Sequence, residues 1–399
     1  MAIRDVSRSM EEQVDNSPGQ RAGDGGTRLR YIDALRGLAA LLVLWLHVAN
    51  YYRTLSPETA AHVRWLNDFV SAIDIGRIGV VVFFLISGFV IPFSIRPERG
   101  APVASFAIRR VFRIFPAYWL SLPLAAYVFY WMAGAAFGPG EFLANVTLLQ
   151  PLFGAPYAEG VYWTLVVELG FYALCIGLLL AKSLYSARRI ALLSAALAAI
   201  HLFGIFMIWI GKPALTVGEA FWALNLSVML WGTLYRLDTR DDRLATCAFW
   251  GLGILYSLVL PVAAMLVGKP LPSYTVSYAL AFIVFIAGTR FVRIETRLGD
   301  WLGRISYSIY LFHPIVFQPI YWWLMAQPAD SAWRTQHLAV YLGLNVALTL
   351  VVASLVFRFV ERPMIRLGHR LATRYEARAS RSRTVARPRP DIAAEAAAG

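Results

Sequence analysis

Arg36 and His47 share the apolar stretch YIDALRGLAALLVLWLHV, with ten residues between them. Eleven helical steps of about 100° return His47 to within roughly 20° of the face of Arg36, about 16 Å further along the axis. In hydrocarbon a charged group costs about 2.5–3.5 kcal/mol on insertion scales, so such groups in an apolar helix point to a cavity with work to do. A guanidinium offers a fork for phosphate or carboxylate. An imidazole with an ordinary pKa of about 6.5 suits removal of a proton from a hydroxyl.

Other polar residues interrupt apolar stretches. Glu168 stands in VYWTLVVELGFYAL, Ser87 in FFLISGFVI, and His313 in ISYSIYLFHPIVF directly before Pro314. Arg36 and Glu168 together would cost about 5–7 kcal/mol unpaired. They are therefore expected to meet each other, a ligand, or polar backbone around a wet cavity. Each residue also has a structural alternative. Arg36 can snorkel to headgroups, and His47 can bond a neighbouring helix. Glu168 can sit in a structural ion pair, and His313 can satisfy backbone freed by Pro314. Ser87-Gly88 can be a small-residue helix contact. The His and acidic residues occur singly, without the spacing of metal ligands on a helix, so no metal site is expected. Cys175 and Cys247 lie in apolar segments and read as small hydrophobes.

The elements that must position these groups follow from composition. The chain has 399 residues, 58% hydrophobic and only 15% charged, against about 25% charged in soluble domains. An all-α membrane protein is expected, a polytopic bundle of about ten transmembrane helices. The spans are placed at 34–52, 75–95, 114–136, 160–181, 190–211, 217–235, 244–267, 271–289, 305–326 and 338–357. Segments 1–33, 96–113, 182–189, 236–243, 290–304 and 358–399 hold 5, 5, 3, 3, 4 and 10 Lys and Arg residues, 30 of the 37 in the chain. This alternation places both termini in the cytoplasm. The net charge of +13 then reports topology and contact with anionic membrane lipid, and argues against a nucleic-acid partner.

Residues 1–30 read as a cytoplasmic tail without a signal peptide, 31–371 as the transmembrane domain, and 372–399 as a disordered basic tail. Segment 96–113 reads as a basic interfacial helix, with Arg109, Arg110 and Arg113 at its end. Segment 137–159 is too apolar for a simple solvated loop and is expected to pack over or dip into the bundle as a lid.

Six blocks carry a resemblance to a known family: DALRGLAALLVLWLHV, GVVVFFLISGFVI, FAIRRVFRIFPAYW, WTLVVELGFY, LGRISYSIYLFHP and FRFVERP. In this order, over about residues 30–370, they resemble the bacterial acyltransferase-3 family of integral membrane O-acyltransferases, in its form without an appended hydrolase-like domain. The resemblance implies transfer of an acyl group, typically acetyl from acetyl-CoA, to a hydroxyl of a glycan, a lipid-linked sugar or a macrolide, in the bacterial cytoplasmic (inner) membrane. Acyl-CoA is then a co-substrate, with no cofactor bound permanently. Arg36, Arg109, Arg110 and Arg113 are expected at the CoA phosphates and arm, and His47 as general base. Glu168 is expected to orient that imidazole or to bind sugar hydroxyls. Ser87, Trp163, Tyr307 and His313 are expected to line the cavity. One departure is Val81, where the family commonly carries an acid; that role is absent here or falls to Asp74. A carrier or flippase for a glycolipid or small solute explains spans and buried charge equally well, but not the arginine cluster and ordered motifs. A non-catalytic scaffold is a third reading.

Overall fold

A computed structural model describes residues 29–56, 73–212, 215–237, 239, 241–259 and 271–385. Twelve α-helices form among them and no strand does. They are α1 (Arg30–Tyr52), α2 (Ile75–Val90), α3 (Pro102–Ala126), α4 (Pro139–Val146), α5 (Trp163–Leu180), α6 (Ala187–Trp209), α7 (Val217–Arg236), α8 (Arg243–Ile254), α9 (Leu271–Ile286), α10 (Arg297–Met325), α11 (Leu338–Val356) and α12 (Arg362–Val385). Side chains close several of the N-termini. Asp74, Ser186, Thr216, Asp242 and Thr296 each accept from an early backbone N–H of the helix that follows.

Among the described residues, six helices are long and apolar enough to cross a membrane: Arg30–Tyr52, Ile75–Ser94, Pro102–Trp131, Gly160–Leu180, Ala187–Trp209 and Leu338–Ser380. Six of the ten expected spans are supported on these grounds. Expected spans 217–235 and 305–326 coincide with α7 and α10. These helices turn polar residues inward, and Asn225, Ser227, Thr233, Ser306, Ser308, His313 and Gln318 are all buried. Their reduced apolarity is that of bundle-facing helices. The expected span 244–267 runs into residues outside the described ones.

α1 is central, packing on α10, α2 and α11, while α7 packs on α2 and α6. Two approaches are close enough to require glycine. A Cβ on Gly88 would overlap the Met229 carbonyl of α7, and one on Gly232 would meet the Leu85 carbonyl of α2. Gly303 of α10 likewise sits against the Asp33 carbonyl of α1. Such small-residue contacts let membrane helices meet backbone to backbone.

Three expectations are corrected or refined. Segment 96–113, expected as an interfacial helix feeding the third span, is continuous with that span from Pro102: α3 runs unbroken through Pro116 and Pro123. The tail boundary at 372 falls inside α12, which continues to Val385 because it packs along α3 and buries Ala372 and Glu376. Segment 137–159 does fold over the bundle, as α4 and a short turn over Gln150–Phe153. Buried Asn145 ties it together, donating to Glu141 O and Pro156 O (both 2.9 Å) and accepting from Ala158 N (3.0 Å). Tyr118 of α3 donates to Asn145 O at 2.6 Å.

The lid ends on Glu159, which is buried and accepts from Val161 N at 2.9 Å. Burial lifts its carboxyl from the usual 4.5 to about 8, partly opposed by the backbone N–H groups of Val161 and Gly160. The folded chain thus keeps a proton that the unfolded chain releases near pH 4–5. The stability this provides is whole below that range and is lost as pH rises through about 8. Thermal melts from pH 5 to 9 should fall more steeply for the wild type than for Glu159→Gln, with a divergence on the order of 3–5 kcal/mol. Parallel melting curves would contradict this.

Candidate active site

A cavity of about 60 Å³ opens between α1, α2, α5 and α10, room for several waters or a slender chain. Its walls include Arg36, Ser87, Glu168 and Tyr307, four residues expected at the site, together with Phe83, Thr164, Ser306 and Tyr310. Arg36 projects from the first turns of α1. Among the described residues its guanidinium makes no hydrogen bond or direct ion pair, so Arg36 and Glu168 share the cavity without closing on each other. They remain within electrostatic reach.

Glu168 accepts a short hydrogen bond from the Tyr172 hydroxyl, one turn along α5. Arg110 lies over the Tyr172 and Phe106 rings, 5.1 and 5.2 Å from their centroids, and donates to Ser94 Oγ at 2.7 Å. Arg113 is within electrostatic reach of Arg36, Tyr172 and Glu361, and among the described residues it too has no hydrogen-bond partner. Arg109 is set apart. Glu376 of α12 holds it at 2.9 Å, with Ser105 Oγ at 3.0 Å, and holds Arg99 at 3.1 Å. Its guanidinium is committed to a helix contact and is not presented to a phosphate.

At the other end of the same α1 face, half-buried His47 meets His313 of α10, ring centroids 5.2 Å apart. The Phe317 ring stacks near His47 at 6.4 Å and 23°. Pro314 has no N–H to give the Tyr310 carbonyl. His313 Nδ1 fills that gap, lying 2.7 Å from Tyr310 O and 3.1 Å from Ile309 O. The structural alternative for His313 is thus realised, and it also occupies one ring nitrogen. Tyr310 joins the two ends: it lines the cavity, and its ring lies 6.0 Å from His313. Its hydroxyl shares a 2.7 Å bond with Thr164 Oγ1 and donates to Val161 O at 3.1 Å.

Trp163 does not line the cavity; it stands behind the wall, edge-on to Phe84 at 6.0 Å. Glu168 belongs to the Arg36 end, and no contact among the described residues joins it to His47. Val81 is buried in the core. Asp74 is within electrostatic reach of His47, but both its oxygens are engaged by Arg77, by N at 2.8 Å and Nε at 3.1 Å. Ser87 and Gly88 divide the two readings of their pair: Ser87 faces the cavity and Gly88 the α7 backbone.

Two residues were missed by the sequence reading. Tyr310 falls at i+3 between Tyr307 and His313, a face legible in the sequence. Glu361, in a π-helical turn after α11, is buried and accepts a short hydrogen bond from Ser308. Its carboxyl lies within electrostatic reach of Arg36 and Arg113, and its place in the block FRFVERP was the signal that could have found it. Among the described residues no group of three or more His, Cys, Asp or Glu gathers as a metal site would require.

Comparison with known proteins places this geometry in context. Residues 29–358 match the acyltransferase domain of the acyltransferase-3 type. The chain is 26% identical over 380 residues to nodulation protein 10 of Rhizobium leguminosarum bv. viciae, covering 86% of this chain and 95% of that protein. It is 28% identical over 322 residues to the exopolysaccharide production protein ExoZ of Rhizobium meliloti, covering 74% and 91%. It is 24% identical over 401 residues to the peptidoglycan O-acetyltransferase OatA of Listeria monocytogenes, covering 84% of this chain and 56% of that protein. No solved structure matches.

Proposed function

Because the chain belongs to the acyltransferase-3 family of membrane O-acyltransferases, we propose that it moves acetyl from cytoplasmic acetyl-CoA to a sugar hydroxyl on a cell-surface or exported glycan. One observation carries this reading. Arg36, whose guanidinium has no hydrogen-bond partner among the described residues, lines a cavity with Arg113 within its electrostatic reach, and a histidine pair lies at the other end of the same α1 face. Relatives named for exopolysaccharide production and peptidoglycan O-acetylation support a glycan acceptor. The charge alternation supports ten spans in a bacterial cytoplasmic membrane with both termini inside, which puts the arginines on the CoA side and His47 toward the exterior.

In this mechanism Arg36 and Arg113 hold phosphate oxygens and the adjoining arm of the acyl-CoA, and Arg110, stacked on Tyr172, shapes the wall beside them. Glu168 lies within electrostatic reach of Arg36, and Glu361 within reach of both Arg36 and Arg113. The pantetheine arm spans the ~16 Å to His47. There His47 takes the proton of the acceptor hydroxyl as its oxygen attacks the thioester carbonyl. The C–S bond breaks, and the departing sulfur takes up that proton, leaving the acyl ester and CoA thiol.

The test is purified full-length protein in nanodiscs, given acetyl-CoA and an oligosaccharide cut from the host's own surface polymer. Free CoA should appear together with a product heavier by one acetyl group. Translocation of a labelled glycolipid without CoA release would favour the carrier. Arg113→Ala should raise KM for acetyl-CoA roughly 10–100-fold, the loss of one or two charge-assisted bonds to phosphate. Arg109→Ala should leave KM in place and lower the melting temperature by releasing α12 from α3. The reverse pattern would reassign the two arginines.

A further inference from the structure

His313 has one ring nitrogen committed and one open. Nδ1 faces two carbonyl oxygens, which only accept, so Nδ1 carries the proton. In the neutral ring Nε2 is then an acceptor. It is fully buried and has no hydrogen-bond partner among the described residues, a state that is unfavourable unless a donor reaches it. The neighbouring ring is His47, at 5.2 Å between centroids and tilted by 53°. Two imidazoles joined edge-on by an N–H···N bond of about 2.9 Å have their ring centres about 5 Å apart, the separation found here. The carboxylate within electrostatic reach of His47, Asp74, accepts from Arg77 at both oxygens and makes no hydrogen bond to His47 among the described residues.

We infer that His313 is the positioning residue of the reaction: its Nε2 accepts the N–H of His47 and so sets the tautomer in which the other His47 nitrogen faces the acceptor hydroxyl. The His-Pro dipeptide supplies the logic. Pro314 frees the Tyr310 carbonyl, that carbonyl fixes the His313 tautomer, and the fixed tautomer presents a lone pair to His47. A base oriented by a third group is the general arrangement of activated catalytic bases. The inference rests on His47 being the base, but it makes a statement about the resting protein that can be read without turnover.

Protein carrying 15N-histidine in nanodiscs provides that reading. His313 should show a protonated Nδ1 and an unprotonated Nε2, with a coupling across the hydrogen bond to His47. A protonated Nε2, or no coupling to His47, overturns the inference. Two substitutions separate positioning from kink support. His313→Gln keeps an acceptor near the Nε2 position, whereas His313→Asn keeps a donor near Nδ1 for the Tyr310 carbonyl. Positioning predicts that His313→Asn keeps its melting temperature and its KM for acetyl-CoA but loses kcat by about 10²-fold, and that His313→Gln retains more kcat despite melting lower. A purely structural His313 predicts the opposite ranking. If His47→Ala is fully active, the base assignment fails whatever the spectra show. If His47→Ala is inactive while the coupling and ranking are missing, only this inference fails.

Discussion

Replacing His47 with alanine should lower acyl transfer by about 10²–10⁴-fold while leaving the fold intact. The magnitude is that of losing a general base at a hydroxyl too weakly acidic to attack unaided. The fold should survive because His47 is half-buried and its ring contacts, to His313 and Phe317, are only part of the α1–α10 seam. Gly303 on Asp33 and the buried Ala40 and Leu44 hold α1 to α10 independently of it. The measurement is the rate of CoA release dependent on acceptor, with the melting temperature recorded on the same preparation. Equal rates for His47→Ala and wild type would remove His47 from the mechanism.

Gly88→Val should prevent the bundle from assembling. The added Cβ would overlap the backbone of Met229, and no rotamer change can relieve a clash with a carbonyl group. The same seam holds Gly232 against the Leu85 carbonyl, and the Thr233 hydroxyl donates to Gly88 O at 3.0 Å. Forcing these helices apart should cost about 1–3 kcal/mol or more, and it would displace Ser87 from the cavity wall. Size-exclusion chromatography of solubilised protein should show loss of the monodisperse peak. Gly177→Val, on α5 where a Cβ meets nothing within 4 Å, should behave as wild type. A monodisperse, active Gly88→Val protein would mean that α2 and α7 do not meet this closely.

Much of this protein is written locally. Hydropathy makes it an all-α membrane protein, because an unsatisfied backbone cannot sit in lipid. The helical period puts Arg36 and His47 on one face, and the cost of burying charge marks Glu168 for a cavity before any fold is known. Even the tautomer of His313 follows from its place before Pro314. What the linear chain leaves open is which charges find partners. Arg109, Arg110 and Arg113 are equivalent as a basic run, yet Glu376 claims Arg109 from 267 residues away, Tyr172 receives Arg110, and Arg113 stays available. Glu361 becomes part of the site, Trp163 falls behind its wall, and α12 extends past the expected boundary because α3 offers it a surface. The ten residues between Arg36 and His47 are covalent geometry and had to appear in the sequence. The 5.2 Å between His47 and His313 joins residues 266 positions apart, and only the packing of α1 against α10 decides it.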